Sequence, residues 1–151
     1  MVATYTAEHL TSRSERRMLD YDIDNALNFV TLDVPNNKKC LSIAQFRRFL
    51  ASMFHSVGTG NVTAFQIVAA TDQDGTGATV VVQHALGTQP DAVGDTIHLE
   101  CDVEQIHEVL ATATHVGVRV QLATTTDEAV VFFERADPMF PHAGLTADLI
   151  S

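Results

Sequence analysis

Two consecutive segments near the end of the chain, "HVGVRVQLA" and "AVVFFE", constrain its fold most strongly. In the first, apolar and more polar residues alternate from His115 to Leu122, which is the period-2 pattern of a strand with one buried face. The second, from Ala129 to Glu134, is apolar on both faces, which is typical of a strand that is central or covered on both sides. The short connection "TTTDE" predicts a turn between them, so the chain must contain a sheet with short connections.

Further strands are predicted upstream. Alternation from Leu19 to Asp24 predicts a strand with one exposed face, and Phe65–Ala70, Thr79–Ala85 and Thr96–Cys101 have strand composition. Clusters of Gly, Pro and Asp separate these segments. Strands joined by short turns favour antiparallel pairing over a doubly wound parallel sheet.

Two segments have helical periodicity instead. In "SIAQFRRFLASMFHSV", Ser42 and Gln45 match a capping box, and apolar residues follow at spacings of three and four, which predicts a helix over about 42–57. A second helix is predicted over about 102–114, with Asp102 as its N-cap. The sequence therefore predicts an α+β fold, an antiparallel hairpin-rich sheet or sandwich with two helices.

Length and composition indicate how the chain is organised into domains. The 151 residues suit one domain, and hydrophobic residues (46%) outweigh charged ones (19%), as in a globular chain. We predict an extended N-terminal arm (1–16), a single α+β domain (17–135) and a C-terminal docking tail (136–151). No apolar run reaches membrane-spanning length and no signal-peptide pattern is present, so we expect a soluble product made in the cytoplasm, with no membrane partner.

Charge and cysteine content argue against a nucleic-acid-binding protein and against a disulfide scaffold. Of the formal net charge of −10, residues 1–50 contribute +1 (seven basic, six acidic) and residues 51–151 contribute −11 (two basic, thirteen acidic). An acidic body repels phosphate backbones, so nucleic-acid partners are disfavoured. Cys40 and Cys101 lie far apart in apolar surroundings, which indicates two reduced thiols rather than a disulfide scaffold.

The string "TDQDGTG" contains the Asp-x-Asp-Gly-Thr pattern of haloacid-dehalogenase-like phosphatases. Such an enzyme needs a lysine and a further acidic pair downstream, but the chain has no lysine after Lys39. A calcium loop of the EF-hand type needs Glu at its twelfth position, where Gln83 stands. The pattern favours a hairpin loop, and leaves open a loose cation site at Asp72 and Asp74.

Three residues match the pattern of a metal site. His98 and Glu100 share one face of a predicted strand, and His107 lies on the following helix, so the three match a two-His, one-carboxylate site. Nothing in the pattern turns His107 towards the strand, and no nucleophile elbow or activated cysteine is present. We therefore predict no catalytic residues, no metal and no cofactor, and expect a non-enzymatic structural or interaction role.

The second half of the chain resembles a known class. The stretches "VTAFQIVAATDQDGTGATVVVQHALGTQPDAVGDTIHLECDVEQI" and "HVGVRVQLATTTDEAVVFFERADPMFPHAGLTADLIS" are similar to small structural proteins encoded among the head genes of tailed bacteriophages. The shared features, over roughly residues 60–151, are hairpins rich in Ala, Thr, Gly and Val, the strand opening "DAVGDTIHLE" and the ending "AGLTADLIS".

The resemblance implies a virion component, made in the host cytoplasm, that decorates or cements the capsid by binding the major capsid protein or other virion proteins. It also implies a homo-oligomer, often a trimer. The expected contact residues lie in the arm and the tail: Arg13, Arg16, Arg17, Met139, Phe140, Leu145, Leu149 and Ile150. The alternatives are a head–tail connector or tail component, a small metal-dependent enzyme, and a ligand-binding module.

Overall fold

A computed structural model gives the architecture, and it describes residues 15–19, 27–30, 39–58, 62–84, 92–124 and 126–138. In chain order its elements are β1 (Glu15–Leu19), β2 (Asn28–Phe29), β3 (Cys40–Ser42), β4 (Phe46–Val57), β5 (Val62–Ala70), β6 (Thr79–Gln83), β7 (Thr96–Asp102), α1 (Val103–Val109), β8 (His115–Leu122) and β9 (Glu128–Pro138).

The strands form two antiparallel sheets. Sheet A has the order β1-β9-β4-β7, and sheet B has the order β2-β8-β5-β6, with β3 also paired to β8. One hydrophobic core contains residues of both sheets, among them Phe49 and Phe133 from sheet A and Phe65 and Val118 from sheet B. The described residues therefore form a β-sandwich, closed at one end by Ile106 of α1, which is fully buried.

The predicted α+β class with two helices is wrong, because the structure is mostly β and the described residues contain one helix. The error lies at 42–57, where Ser42 ends β3 and Phe46–Val57 is the long strand β4. The Ser42 hydroxyl accepts a hydrogen bond from the N–H of Ala44 in a tight turn, and Gln45 has a φ of 76°, outside the helical region. The residues that matched a capping box thus make the β3–β4 turn.

The apolar pattern of β4 fits two periods at once. Phe49, Ala51 and Met53 point into the core, while Leu50 and Phe54 lie on the opposite face. With apolar residues on both faces, the segment also matches the three- and four-residue spacing of a helix. Pairing decides the outcome, since β9 and β7 flank β4 on its two sides and satisfy its backbone hydrogen bonds.

The second predicted helix is present but shorter than 102–114. Asp102 is its N-cap: its carboxylate accepts from the N–H of Gln105 (2.8 Å), and the Gln105 side chain accepts from the N–H of Asp102 (3.0 Å). This reciprocal capping box fixes the start of α1 directly at the end of β7. The helix ends at Val109, and Leu110 is its C-cap in an extended conformation.

The segments "HVGVRVQLA" and "AVVFFE" are both strands, β8 and β9, but they lie in different sheets. The turn between them therefore crosses from one layer of the sandwich to the other. Strand β9 lies between β1 and β4 and is therefore central in sheet A. The arm and tail boundaries fall inside strands, since Glu15 belongs to β1 and Pro138 ends β9. No helix in the described residues is long and apolar enough to cross a membrane.

Candidate interaction surface

The outer face of sheet A carries apolar side chains. On β4, the residues that alternate with the core positions include Leu50, which is half-buried, and Phe54, which is 40% exposed. On β9 they include Val130 and Phe132, both half-buried. Register places Phe54 directly beside Val130. An exposed face of an antiparallel sheet is normally polar, so these four residues, called the Phe54 face below, form a candidate contact surface.

Polar groups border the Phe54 face on β7. Ser52, between Leu50 and Phe54 on β4, pairs with His98, and Ser52 Oγ lies 2.9 Å from His98 Nδ1. Two residues after His98 on β7, Glu100 forms an ion pair with Arg48 of β4. Both side chains are about half exposed. An exposed pair of this kind contributes little to stability. The β7 side of the face is therefore hydrogen-bonded and charged, and the apolar side chains lie on β4 and β9 with Ser52 among them.

His98, Glu100 and His107, the three residues considered for a metal site, do not form a metal-binding cluster in the described structure. His98 and Glu100 share the outer face of β7, as the sequence indicates, but each is engaged with a β4 neighbour. His107 lies exposed in the last turn of α1. Among the described residues, no group of three or more His, Cys, Asp or Glu side chains is arranged to hold a metal ion.

The "TDQDGTG" loop joins β5 to β6, which pair as an antiparallel hairpin. Asp72 Oδ1 accepts hydrogen bonds from the N–H groups of Asp74 (2.9 Å) and Thr76 (3.0 Å). Hydrogen bonds from the Thr76 side chain and then its backbone lower the pKa of Asp72 below its ordinary value. The first aspartate of the motif thus holds the loop in shape.

The same loop packs against sheet B. The carbonyl of Gln73 accepts from the N–H groups of Lys39 and Cys40, both at 3.0 Å. Gly75, with a φ of +84°, leaves room for the Phe29 ring: a Cβ on Gly75 would lie 2.7 Å from the ring's Cε2. The loop is therefore docked on the sheet through backbone and ring contacts rather than free in solvent.

The two cysteines are free and buried, as the sequence predicts for reduced thiols. Burial raises the pKa of Cys40 to about 12, with a further contribution from the negative charge of Asp72. Burial also raises the pKa of Cys101 to about 12, followed by the charges of Asp102 and Glu100. Thiols with such pKa values are not nucleophiles at neutral pH.

An open cleft of about 640 Å³ lies where β4, β9 and α1 meet. Its lining includes cationic Arg47 and Arg48 and anionic Asp102, Glu104 and Asp137. A smaller cavity of about 190 Å³ adjoins it beside Glu100. Binding pockets for small molecules are predominantly apolar with few polar groups, and this mixed-charge cleft does not match that pattern.

The predicted contact residues fall mostly outside the described part of the chain. Arg13, Met139, Phe140, Leu145, Leu149 and Ile150 all lie there. The backbones of Arg16 and Arg17 belong to β1, opposite Phe132 and Val131 of β9. Because β1 and β9 are antiparallel, the start of β1 and the end of β9 lie at the same end of sheet A. Glu15 pairs with Phe133, five residues before Pro138, so the two strand ends point the same way but are offset along β9.

Sequence reasoning missed the Phe54 face. The three- and four-residue spacing places Phe54 and Leu50 on the apolar face of the helix predicted over about 42–57. The structure has strand β4 there instead. The signal for β9 was available, since "AVVFFE" is apolar on both faces and only one face of a sandwich sheet can meet the core. Locating the face required the strand assignment of β4 and its register with β9.

Comparisons with known proteins add little to this surface. No protein-family model matches the chain. No curated protein matches it either. Among solved structures it is similar to two cleaved adhesin domains of Lys-gingipain from Porphyromonas gingivalis W83. For the K3 domain the identity is 12% and the TM-score 0.40, over 81% of this chain and 91% of that one. For the K1 domain the identity is 11% and the TM-score 0.38, over 83% and 95%. Likenesses at these scores assign no function.

Proposed function

We propose that this chain is a non-enzymatic structural protein of a tailed bacteriophage virion, a capsid decoration or cement protein that binds the major capsid protein through the Phe54 face. The observation that carries the proposal is the Phe54 side chain, 40% exposed on a sheet beside half-buried Val130. Aromatic side chains at the centre of a polar-rimmed patch are the residues that most often dominate binding energy.

Charge defines the partner's chemistry. The rim carries Glu100, Glu128 and Glu134, and Arg48 is the cation paired to one of them. These three carboxylates outnumber the one guanidinium, and the chain has a formal net charge of −10, so we expect a negative field around this face. A partner surface that fits has an apolar centre with basic residues around it, and its binding weakens as salt concentration rises.

The geometry of the chain ends also supports a surface role. The start of β1 and the end of β9 point towards the same end of sheet A, and the sequences before and after them contain the basic and apolar residues expected to make contacts. A decoration protein binds many equivalent sites on a symmetric shell, so each weak contact is repeated many times. The sandwich would provide the face, and the two terminal segments would extend the contact.

The test is co-sedimentation of the purified protein with capsids assembled from the major capsid protein encoded beside it. Phe54→Gln should weaken capsid binding by about thirtyfold, the loss expected for an aromatic residue at the centre of an interface. Val109→Gln is the matched control, because Val109 on α1 is also 40% exposed but lies off sheet A. Its binding should stay within about twofold of wild type.

Other outcomes have definite meanings. Equal loss in both variants, or none in either, removes the Phe54 face from the proposal. Binding to portal or tail proteins but not to capsids assigns the chain to the head–tail connector or the tail instead. Stoichiometric zinc, manganese or iron in the purified protein, or the lack of any major capsid gene near its own, contradicts the structural role itself.

A further inference from the structure

The free edge of sheet A, on β7, is a second surface, and it shares His98 and Glu100 with the rim of the Phe54 face. Among the described strands, β7 is hydrogen-bonded only to β4, and β6 of sheet B lies near it without pairing. Natural edge strands are protected by bulges, prolines, lysines or short length. β7 has seven residues, "TIHLECD", with no proline, glycine, lysine or arginine, and its register with β4 is regular throughout.

The other edges are protected. β1 has five residues, and β2 and β3 have two and three. β6 has five residues, a register shift against β5, and α1 packed near it. β7 is therefore the edge that is chemically open to another strand.

The hydrogen-bond pattern identifies which backbone groups are open. The N–H of His55 on β4 bonds to the carbonyl of Asp95, just before β7. In an antiparallel ladder, alternate residues bond to the same neighbour, so Ile97, Leu99 and Cys101 face β4. His98 and Glu100 therefore direct their N–H and C=O groups to the open edge.

The capping box of α1 occupies one backbone N–H at the C-terminal end of the β7 edge. The N–H of Asp102 already bonds to the side chain of Gln105 at 3.0 Å, so it is not available to a neighbouring strand. Thr96 begins the strand. The segment between these two residues is centred on Leu99.

We propose that the chain forms a two-fold symmetric homodimer in which β7 of one copy pairs antiparallel with β7 of the other, centred on Leu99. This register overlaps the whole of Thr96–Asp102 in both copies. It also places His98 opposite Glu100 of the second copy, and Glu100 opposite His98, so each exchanges backbone hydrogen bonds with the other. The two sheets A become one continuous sheet.

Side-chain complementarity selects this register over its neighbours. Moving the centre to Glu100 sets the two Glu100 carboxylates directly opposite each other, which is destabilising. Moving it to His98 sets the two imidazoles opposite each other and leaves the ends of the strands unpaired. With Leu99 at the centre, His98 Nδ1 stays bonded to Ser52, and Nε2 is the ring nitrogen that meets the facing carboxylate.

The dimer does not depend on capsid binding, because it is a property of the isolated protein. It joins two Phe54 faces side by side on one sheet, so a capsid-binding dimer would engage two sites at once. A two-fold contact of this kind does not close into a trimer, and the dimer replaces the trimer that the sequence resemblance implies.

Sedimentation equilibrium of the purified wild-type protein, up to about 1 mM, should show reversible association to twice the chain mass of 16.4 kDa. His98→Glu, which sets like charges opposite each other at two symmetric positions, should weaken association about tenfold. His98→Lys, which sets opposite charges there, should strengthen it by a similar factor at neutral pH. Unfolding curves check that both variants remain folded.

The control variants are His107→Glu and His107→Lys. They make the same charge changes at an exposed histidine on α1, outside the β7 edge, and should leave the dissociation constant within about twofold of wild type. A strictly monomeric wild type, a trimer, or equal responses at positions 98 and 107 would overturn the proposal. Phe54→Gln, on β4, should leave the dimer dissociation constant within about twofold of wild type, so failure of the capsid proposal and failure of the dimer proposal are distinguishable.

Discussion

Replacing Gly75 with alanine tests the docking of the "TDQDGTG" loop on sheet B. Two costs are expected. Alanine at a φ of +84° loses about 1–2 kcal/mol because its Cβ crowds the backbone in the left-handed region. The added Cβ would also lie 2.7 Å from Cε2 of Phe29, so the ring must shift, which costs about 1–3 kcal/mol. Gly75→Ala should therefore lower the free energy of unfolding by about 2–5 kcal/mol.

Gly77→Ala separates the two costs. Gly77 lies in the same loop with a φ of +66°, and a Cβ there meets nothing within 4 Å. This variant should lose only the backbone cost of about 1 kcal/mol. For a chain of this size, 1 kcal/mol corresponds to about 2–4 °C in Tm. Guanidinium unfolding followed by far-UV circular dichroism is the suitable assay, because the chain has no tryptophan.

A double-mutant cycle with Phe29→Ala completes the test. With the ring removed, Gly75→Ala should cost no more than Gly77→Ala, giving a coupling energy of about 1–3 kcal/mol. Equal destabilisation by Gly75→Ala and Gly77→Ala in the wild-type background, or a coupling near zero, would refute the docking of this loop on Phe29.

Three further predictions concern single residues. Asp102→Ala removes the carboxylate of the capping box and should cost about 1 kcal/mol in the same unfolding assay, whereas Asp102→Asn should cost less. His55 is fully buried with neither ring nitrogen bonded to a described residue, so His55→Leu should raise stability by about 1 kcal/mol; a loss would show that the ring is hydrogen-bonded. The lowered pKa of Asp72 means that its ionised form stabilises the fold above the unfolded value of about 3.9. That stability should be lost as pH falls through the lowered pKa, and Asp72→Asn should flatten the acid limb of a stability–pH curve.

Local chemistry determined much of this protein. Period-2 alternation located β8, because a strand with one face against a core must alternate whatever its neighbours are, and a short apolar run after a turn located β9. The start of α1 was also readable, since the groups of its capping box lie within four residues of each other. The hairpin loop at Asp72 followed from turn chemistry and from the lack of the distant residues that a phosphatase would need.

Only the tertiary structure decided the rest. The segment 46–57 has apolar residues that satisfy helical and strand spacing alike, and its conformation depends on β7 and β9, which lie far along the chain. The Phe54 face depends on the same pairing, because Phe54 and Val130 become neighbours only through the register of β4 with β9. Periodicity reports which residues share a face of one segment. Which face meets the core, and which edge remains open, are set by partners that no local pattern specifies.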